Sequence, residues 1–161
     1  EDDPVIFWED RTVLGARSFV PEEDYTIPLG VADIKREGTD ATIVALGGMV
    51  PRALTAAETL AQEGISAEVL DPRTLVPLDK EAILKSVAKT GRLVVVDMAH
   101  KTCSAASEIA AIVAMEGFWD LQAPIQRLAA PNVHIPFSPA LEPLCYPTDE
   151  TIAEAVRTTL A

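Results

Sequence analysis

Basic residues are scarce in this sequence. Thirteen Lys and Arg stand against 25 Asp and Glu, a formal charge of −12 at pH 7. Nucleic acids and anionic membranes need a positive footprint, so neither is an expected partner. The balance fits a protein that docks on a basic patch elsewhere. Cysteine is nearly absent. Cys103 and Cys145 make no disulfide framework, which points to a reducing compartment. Long apolar runs are missing too: the longest, Ile109 to Met115, is far short of the ~20 residues that span a bilayer. The chain opens on Glu1, Asp2 and Asp3, which is no signal peptide. It does not begin with Met, and the expectation is a chain processed or cut from a longer one. Nucleotide fingerprints of the G-x-G-x-x-G and G-x-x-x-x-G-K-[ST] kinds are lacking, and Ser138 has no G-x-S-x-G setting.

What is present is an ordinary globular composition, 48% hydrophobic and 24% charged, which argues against disorder. A chain of 161 residues can bury roughly two-thirds of its unfolded surface without staples. Residues 1–30 differ from the rest. They carry Pro4, Pro21 and Pro28, clustered acids, and one apolar stretch, Val5–Trp8, that reads as a strand or an anchor. They are read as an arm or linker laid over a domain of residues 31–161.

From Thr39 the pattern is regular. Ala41–Leu46 is a β-branched run ending in Gly47-Gly48, which predicts a buried strand. Pro51 suits a first helical turn, and Val50, Leu54, Ala57, Leu60 and Ala61 follow at helical spacing up to Gly64. Ala67–Asp71 is the second strand. Asp79 caps a helix carrying Ile83, Leu84 and Val87, stopped at Gly91. Leu93–Asp97 is the clearest buried strand. Ser104 or Thr102 caps an alanine-rich helix that ends at Gly117. Ile125–Ala129 is a fourth strand, and Thr148 caps a last helix with Asp149 and Glu150 in its first turn. Strand and helix alternate four times, which predicts an α/β fold with a mostly parallel sheet and helices on both faces. The connection from Pro131 to Pro147 holds five prolines and is too long for an idle loop. Phe137, Leu141, Leu144 and Tyr146 make it apolar enough to pack.

Ligands of open parallel sheets bind beyond the carboxyl ends of the strands. Gly47-Gly48 could hold an anion on free backbone N–H groups, or be a plain strand-to-helix turn. Arg73 could clamp a carboxylate or phosphate, or pair internally with Asp71. Cys103 follows His100 and Lys101 before a helix. It could be a nucleophile with a lowered thiol pKa, half of a metal pair with His100, or plain packing. His134 reads as a surface or interface histidine. Glu58, Glu63 and Glu68 read as members of solvated faces. No catalytic constellation is complete, which is common for one part of a larger machine.

Several segments taken in order carry a resemblance. They are Asp24–Gly30 (DYTIPLG), Asp33–Gly38 (DIKREG), Ala41–Val50 (ATIVALGGMV), Gly64–Asp79 (GISAEVLDPRTLVPLD), Thr90–Asp97 (TGRLVVVD) and Pro136–Glu142 (PFSPALE). Together the chain resembles the C-terminal domain, of the transketolase C-terminal type, of the beta subunit of thiamine-diphosphate-dependent 2-oxoacid dehydrogenases. The resemblance implies a three-layer αβα sandwich whose five-stranded, mostly parallel sheet has one antiparallel edge strand, with Asp33–Arg36 as that strand. It implies an enzyme of two alpha and two beta subunits, an oxidoreductase that uses thiamine diphosphate and magnesium. That cofactor would lie between the alpha subunit and a front half of the beta subunit, so none is expected on this chain alone. Neither His100 nor His134 matches the family's catalytic histidine, and no catalytic residue is carried over. The implied partners are the chain's own front-half domain, the alpha subunit, a second beta subunit and the lipoyl acyltransferase core. An anion site would fall at Gly47, Gly48 and Arg73, and an interface at Phe137, Leu141 and Tyr146. Met98–Ser107 (MAHKTCSAAS) looks more like the acetoin branch than the pyruvate branch. A bacterial cytoplasm is expected, with the mitochondrial matrix as the alternative. The rival readings are a stand-alone α/β module for an anion or small molecule, and a cysteine enzyme using Cys103.

Overall fold

The computed structural model describes residues 2–17 and 19–161. Glu1, the first of the clustered acids, and Ser18 lie outside the described residues. Among the described residues, four helices alternate with strands as the sequence predicts, and one further strand precedes them. The elements are β1 (Asp33–Arg36), β2 (Ala41–Ala45), α1 (Met49–Gln62), β3 (Ala67–Asp71), α2 (Lys80–Thr90), β4 (Leu93–His100), α3 (Ala105–Glu116), β5 (Gln126–Ala130) and α4 (Asp149–Leu160). Short 3₁₀ turns cover Phe118–Asp120 and Glu142–Cys145.

The sheet order is β1-β3-β2-β4-β5. β2, β3, β4 and β5 run parallel, and β1 pairs with β3 antiparallel. This is the mixed five-stranded sheet that the resemblance implies. β1 holds a single apolar side chain, Ile34, and its register slips between Ile34 and Arg36. Charge guards this edge: Lys35 lies 2.6 Å and Arg73 2.8 Å from the Asp33 carboxylate.

Two apolar layers close the sandwich. On one face Ile43, Val69 and Val96 meet Ala53, Ala57 and Leu60 of α1 and Ile152 and Val156 of α4. On the other, Val44, Leu70 and Val95 meet Ile83 and Val87 of α2 and Ile109 and Val113 of α3. Each fully buried Leu or Ile among them is worth about 1.5–3 kcal/mol relative to exposure. The small alanines of α1 let the helix lie close on the sheet. Helix ends obey their local chemistry. Asp79 accepts from the Ala82 N–H at 3.0 Å, and Gly91 closes α2 at φ 72°, a left-handed angle that costs glycine nothing. Thr148 and Thr151 form a reciprocal box at the start of α4.

Three expectations need correction. Val5–Trp8 is no strand: it is exposed and lacks regular structure. Glu68 lies on no solvated face, being fully buried. It stands opposite Thr42 in the register of β2 and β3, beneath α2, where Lys89 reaches its Oε2 while Oε1 has no partner among the described residues. Burial of a carboxylate is tolerated there because a lysine stem can snake in from the helix end. The strands also differ at their ends. β4 runs on to His100, because the Lys101 N–H reaches Ala130 O at 2.8 Å and extends the pairing with β5.

Candidate functional site

α1 leaves the sheet on one face, while α2 and α3 lie on the other. The neighbouring strands β2 and β4 therefore send their chains to opposite sides. The switch point of this open sheet falls between Gly47-Gly48 and the segment from Asp97 to Ser104, where such folds gather their ligands.

Gly47 sits at φ 52°, and Gly48 begins α1 in helical geometry. The helix start is already satisfied. The Met49 N–H donates to Leu46 O at 3.0 Å and the Val50 N–H to Gly47 O at 3.1 Å, and Pro51 has no N–H. The Gly48 N–H donates to Oδ2 of Asp10 at 2.8 Å. The other oxygen of Asp10 accepts from the Thr12 N–H at 2.9 Å and the Thr12 hydroxyl at 2.7 Å. Burial pushes the Asp10 carboxyl up, but the donors from Thr12 and Gly48 and the nearby Arg52 charge together hold it below its ordinary value. The anion position expected here thus holds a carboxylate of the chain itself.

Arg73 does not join this group. Its N–H donates to Asp71 Oδ1 at 2.9 Å, but its guanidinium turns outward to Asp33 at 2.8 Å, on β1. It is an internal ion pair, as one reading had it, with a different acid. Hydrogen bonding from Lys35, with the Arg73 charge beside it, holds the Asp33 carboxyl low.

At the end of β4, the His100 Nε2 is 2.9 Å from the carbonyl of Val133, so that nitrogen donates. Asn132 and Thr102 exchange bonds at 2.7 and 3.3 Å. Cys103 is exposed at φ 58°. Its sulfur makes no hydrogen bond among the described residues, to His100 or to anything else, so no base is placed on the thiol. No cluster of three His, Cys, Asp or Glu suited to a metal exists among the described residues. Arg127 went unnoticed in the sequence. From β5 it donates to Lys101 O at 2.9 Å and to the Ser107 hydroxyl, bracing the turn into α3. Nothing in the alternating pattern singles out an arginine in a half-buried edge strand.

The proline-rich connection stays open. Phe137 is wholly exposed, Leu141 and Leu144 are exposed, and Tyr146 is half-buried against a shallow hollow of about 230 Å³ with Leu128, Pro131 and Thr151. His134 is exposed and bonds to the Ile135 carbonyl. A second apolar hollow, about 660 Å³, lies near the start of β5, at the same edge of the sheet, beside Phe118, Trp119 and Pro124.

The family model for the transketolase C-terminal domain matches residues 30–152. The chain belongs to that family. It is 53% identical over 94% of its length to the acetoin:2,6-dichlorophenolindophenol oxidoreductase subunit beta of Bacillus subtilis (strain 168), and covers 44% of that protein. It is 45% identical over 99% of its length to the pyruvate dehydrogenase E1 component subunit beta of the same organism, covering 49% of it. A solved structure described as a split gene transketolase, inactive beta4 tetramer, superposes with a TM-score of 0.75 at 30% identity. It is matched by 90% of this chain, which covers 45% of it. This transketolase C-terminal domain therefore spans about half the length of the relatives it matches. None of its described helices is long and apolar enough to cross a membrane.

Proposed function

We propose that the chain is the C-terminal assembly domain of the beta subunit of a thiamine-diphosphate-dependent dehydrogenase, of the acetoin or 2-oxoacid kind. The observation that carries this reading is the 53% identity over 94% of the chain to an acetoin oxidoreductase beta subunit, against 45% to a pyruvate dehydrogenase beta subunit. The margin favours the acetoin branch.

In the complete enzyme thiamine diphosphate would supply the carbon–carbon cleavage chemistry, and an acyl group would go to a lipoyl arm. The cofactor supplies the hard chemistry. Residues of this chain do not fit a diphosphate held by magnesium. The helix start at Gly48 carries Asp10, Arg73 is spent on Asp33, and no group of three acids converges among the described residues. No step of the reaction is routed through them. The domain instead contributes surface. Phe137, Leu141 and Leu144 face outward from the proline-rich connection, and Val5 to Trp8 face outward from the arm. Apolar surface of that extent on a soluble domain marks contacts with other chains or domains. The natural occupants are a front-half domain, an alpha subunit, a second beta subunit and the acyltransferase core. A reducing compartment, the bacterial cytoplasm first, suits the two free thiols.

Titration calorimetry with thiamine diphosphate and magnesium tests the division of labour. Absence of heat from this chain alone, with tight binding once a front half and an alpha subunit are added, is the expected result. Stoichiometric binding by the chain alone would overturn it and favour a stand-alone binding module.

A further inference from the structure

Gly48 has no reason of its own to be glycine. Its φ of −61° and ψ of −7° lie in the helical region open to every L residue. A Cβ there would first meet three atoms, all from the arm. It would overlap Oδ2 of Asp10 and come within 2.7 Å of the Thr12 hydroxyl and 2.9 Å of Asp10 Cγ. The glycine makes room for a carboxylate that arrives from 38 positions upstream. The same turn stands beside the end of the proline-rich connection. Arg52, whose charge faces Asp10, donates to Pro147 O at 2.5 Å, and Tyr146 also senses the Asp10 charge.

We propose that Asp10–Thr12 is a latch: the Asp10 carboxylate, seated on the Gly48 N–H, fastens the arm across the switch point of the sheet, and Gly48 is glycine in order to admit it. The place where open α/β sheets accept ligands is closed here by the chain's own acid. The seat also fixes where the arm leaves the domain, next to the connection that ends at Pro147. The latch is intramolecular, so it stands whether or not the assembly reading does.

The whole chain is used for the test, in three forms: Gly48→Ala, Asp10→Asn and the double variant. Two readouts serve: tryptic cleavage after Arg11, and amide exchange at residue 48 and at Thr12. Losing a hydrogen bond to a charged group should speed cleavage and exchange by about tenfold, because the arm then opens more often. Gly48→Ala leaves the residues around Arg11 untouched, so faster cleavage in that variant reports release and not altered trypsin recognition. The double variant should be no faster than the faster single. Unchanged cleavage and exchange in Gly48→Ala, or rates that multiply in the double variant, would overturn the latch. Should Gly48→Ala also lower the melting temperature, exchange of the Gly48 amide in Asp10→Asn decides: faster supports the latch, unchanged sinks it.

Discussion

The α/β body and the two irregular segments use the same apolar side chains to opposite ends. In the body, Ile43, Leu60, Leu70 and Ile152 are fully buried. In the arm and the proline-rich connection, Phe7, Trp8, Phe19 and Phe137 are almost wholly exposed. Hydrophobicity alone does not send a residue inside; a regular element must carry it there. The body covers its own apolar side chains, and the segments leave theirs to solvent.

That contrast can be broken from the body first. Ile43→Ala removes a central strand side chain packed under α1 and α4. It should cost about 2–5 kcal/mol, read as a shifted urea midpoint at unchanged slope. Next comes the buried ion pair beneath α2. Lys89→Met leaves Glu68 as a buried charge without its lysine and should cost roughly 3 kcal/mol, since breaking one partner of such a pair is far worse than removing both. Glu68→Leu combined with Lys89→Leu should recover most of the loss. A double variant as weak as the single would mean the pair itself, not the stranded charge, matters.

The segments should respond in the reverse way. Phe137→Asp should change stability by no more than about 0.5 kcal/mol, because the ring touches solvent only. It should nevertheless reduce self-association measured by sedimentation. A large drop in melting temperature would erase the distinction between body and segment. The smallest effect concerns acid. Asp10 and Asp33 are both held below the ordinary 3.8, so each contributes stability that is complete above that value and lost as pH falls through its lower folded value. Carboxyl titration followed by NMR should show both midpoints below 3.8. The latch and the charged edge should therefore stay intact at neutral pH.

Most of the body was legible in the sequence because its signals are local. The runs ATIVA, AEVLD and LVVVD, the cap at Asp79, the stop at Gly91 and the box at Thr148 each declare themselves within a few residues. β1 did not, since DIKR has one apolar residue and its strand character comes from pairing with β3; only family likeness pointed to it. Glu68 was misplaced for a related reason. Its burial depends on the Thr42 register and on Lys89 from another element, neither of which leaves a mark at position 68. At the candidate site, Gly47-Gly48 was found as a place but not as an occupied one. A bond between positions 10 and 48 leaves no periodic trace. Arg73 was rightly seen as a pairing arginine and wrongly assigned its acid, because Asp33 comes near only once β1 lies against β3.

α4 is the last element of the body and also half of one of its walls. Ile152 and Val156 seal the face of β2 and α1, and Arg92 donates to Thr159 O at 2.8 Å, tying the foot of β4 to the final turn. During synthesis, β2 and α1 emerge long before the 12 residues of α4 exist. Until those residues clear the ribosome, Leu60 and Ile43 lack their cover, and the body cannot settle one strand at a time. The domain stays unfinished until α4 has been made, a window in which a chaperone has an apolar face to hold.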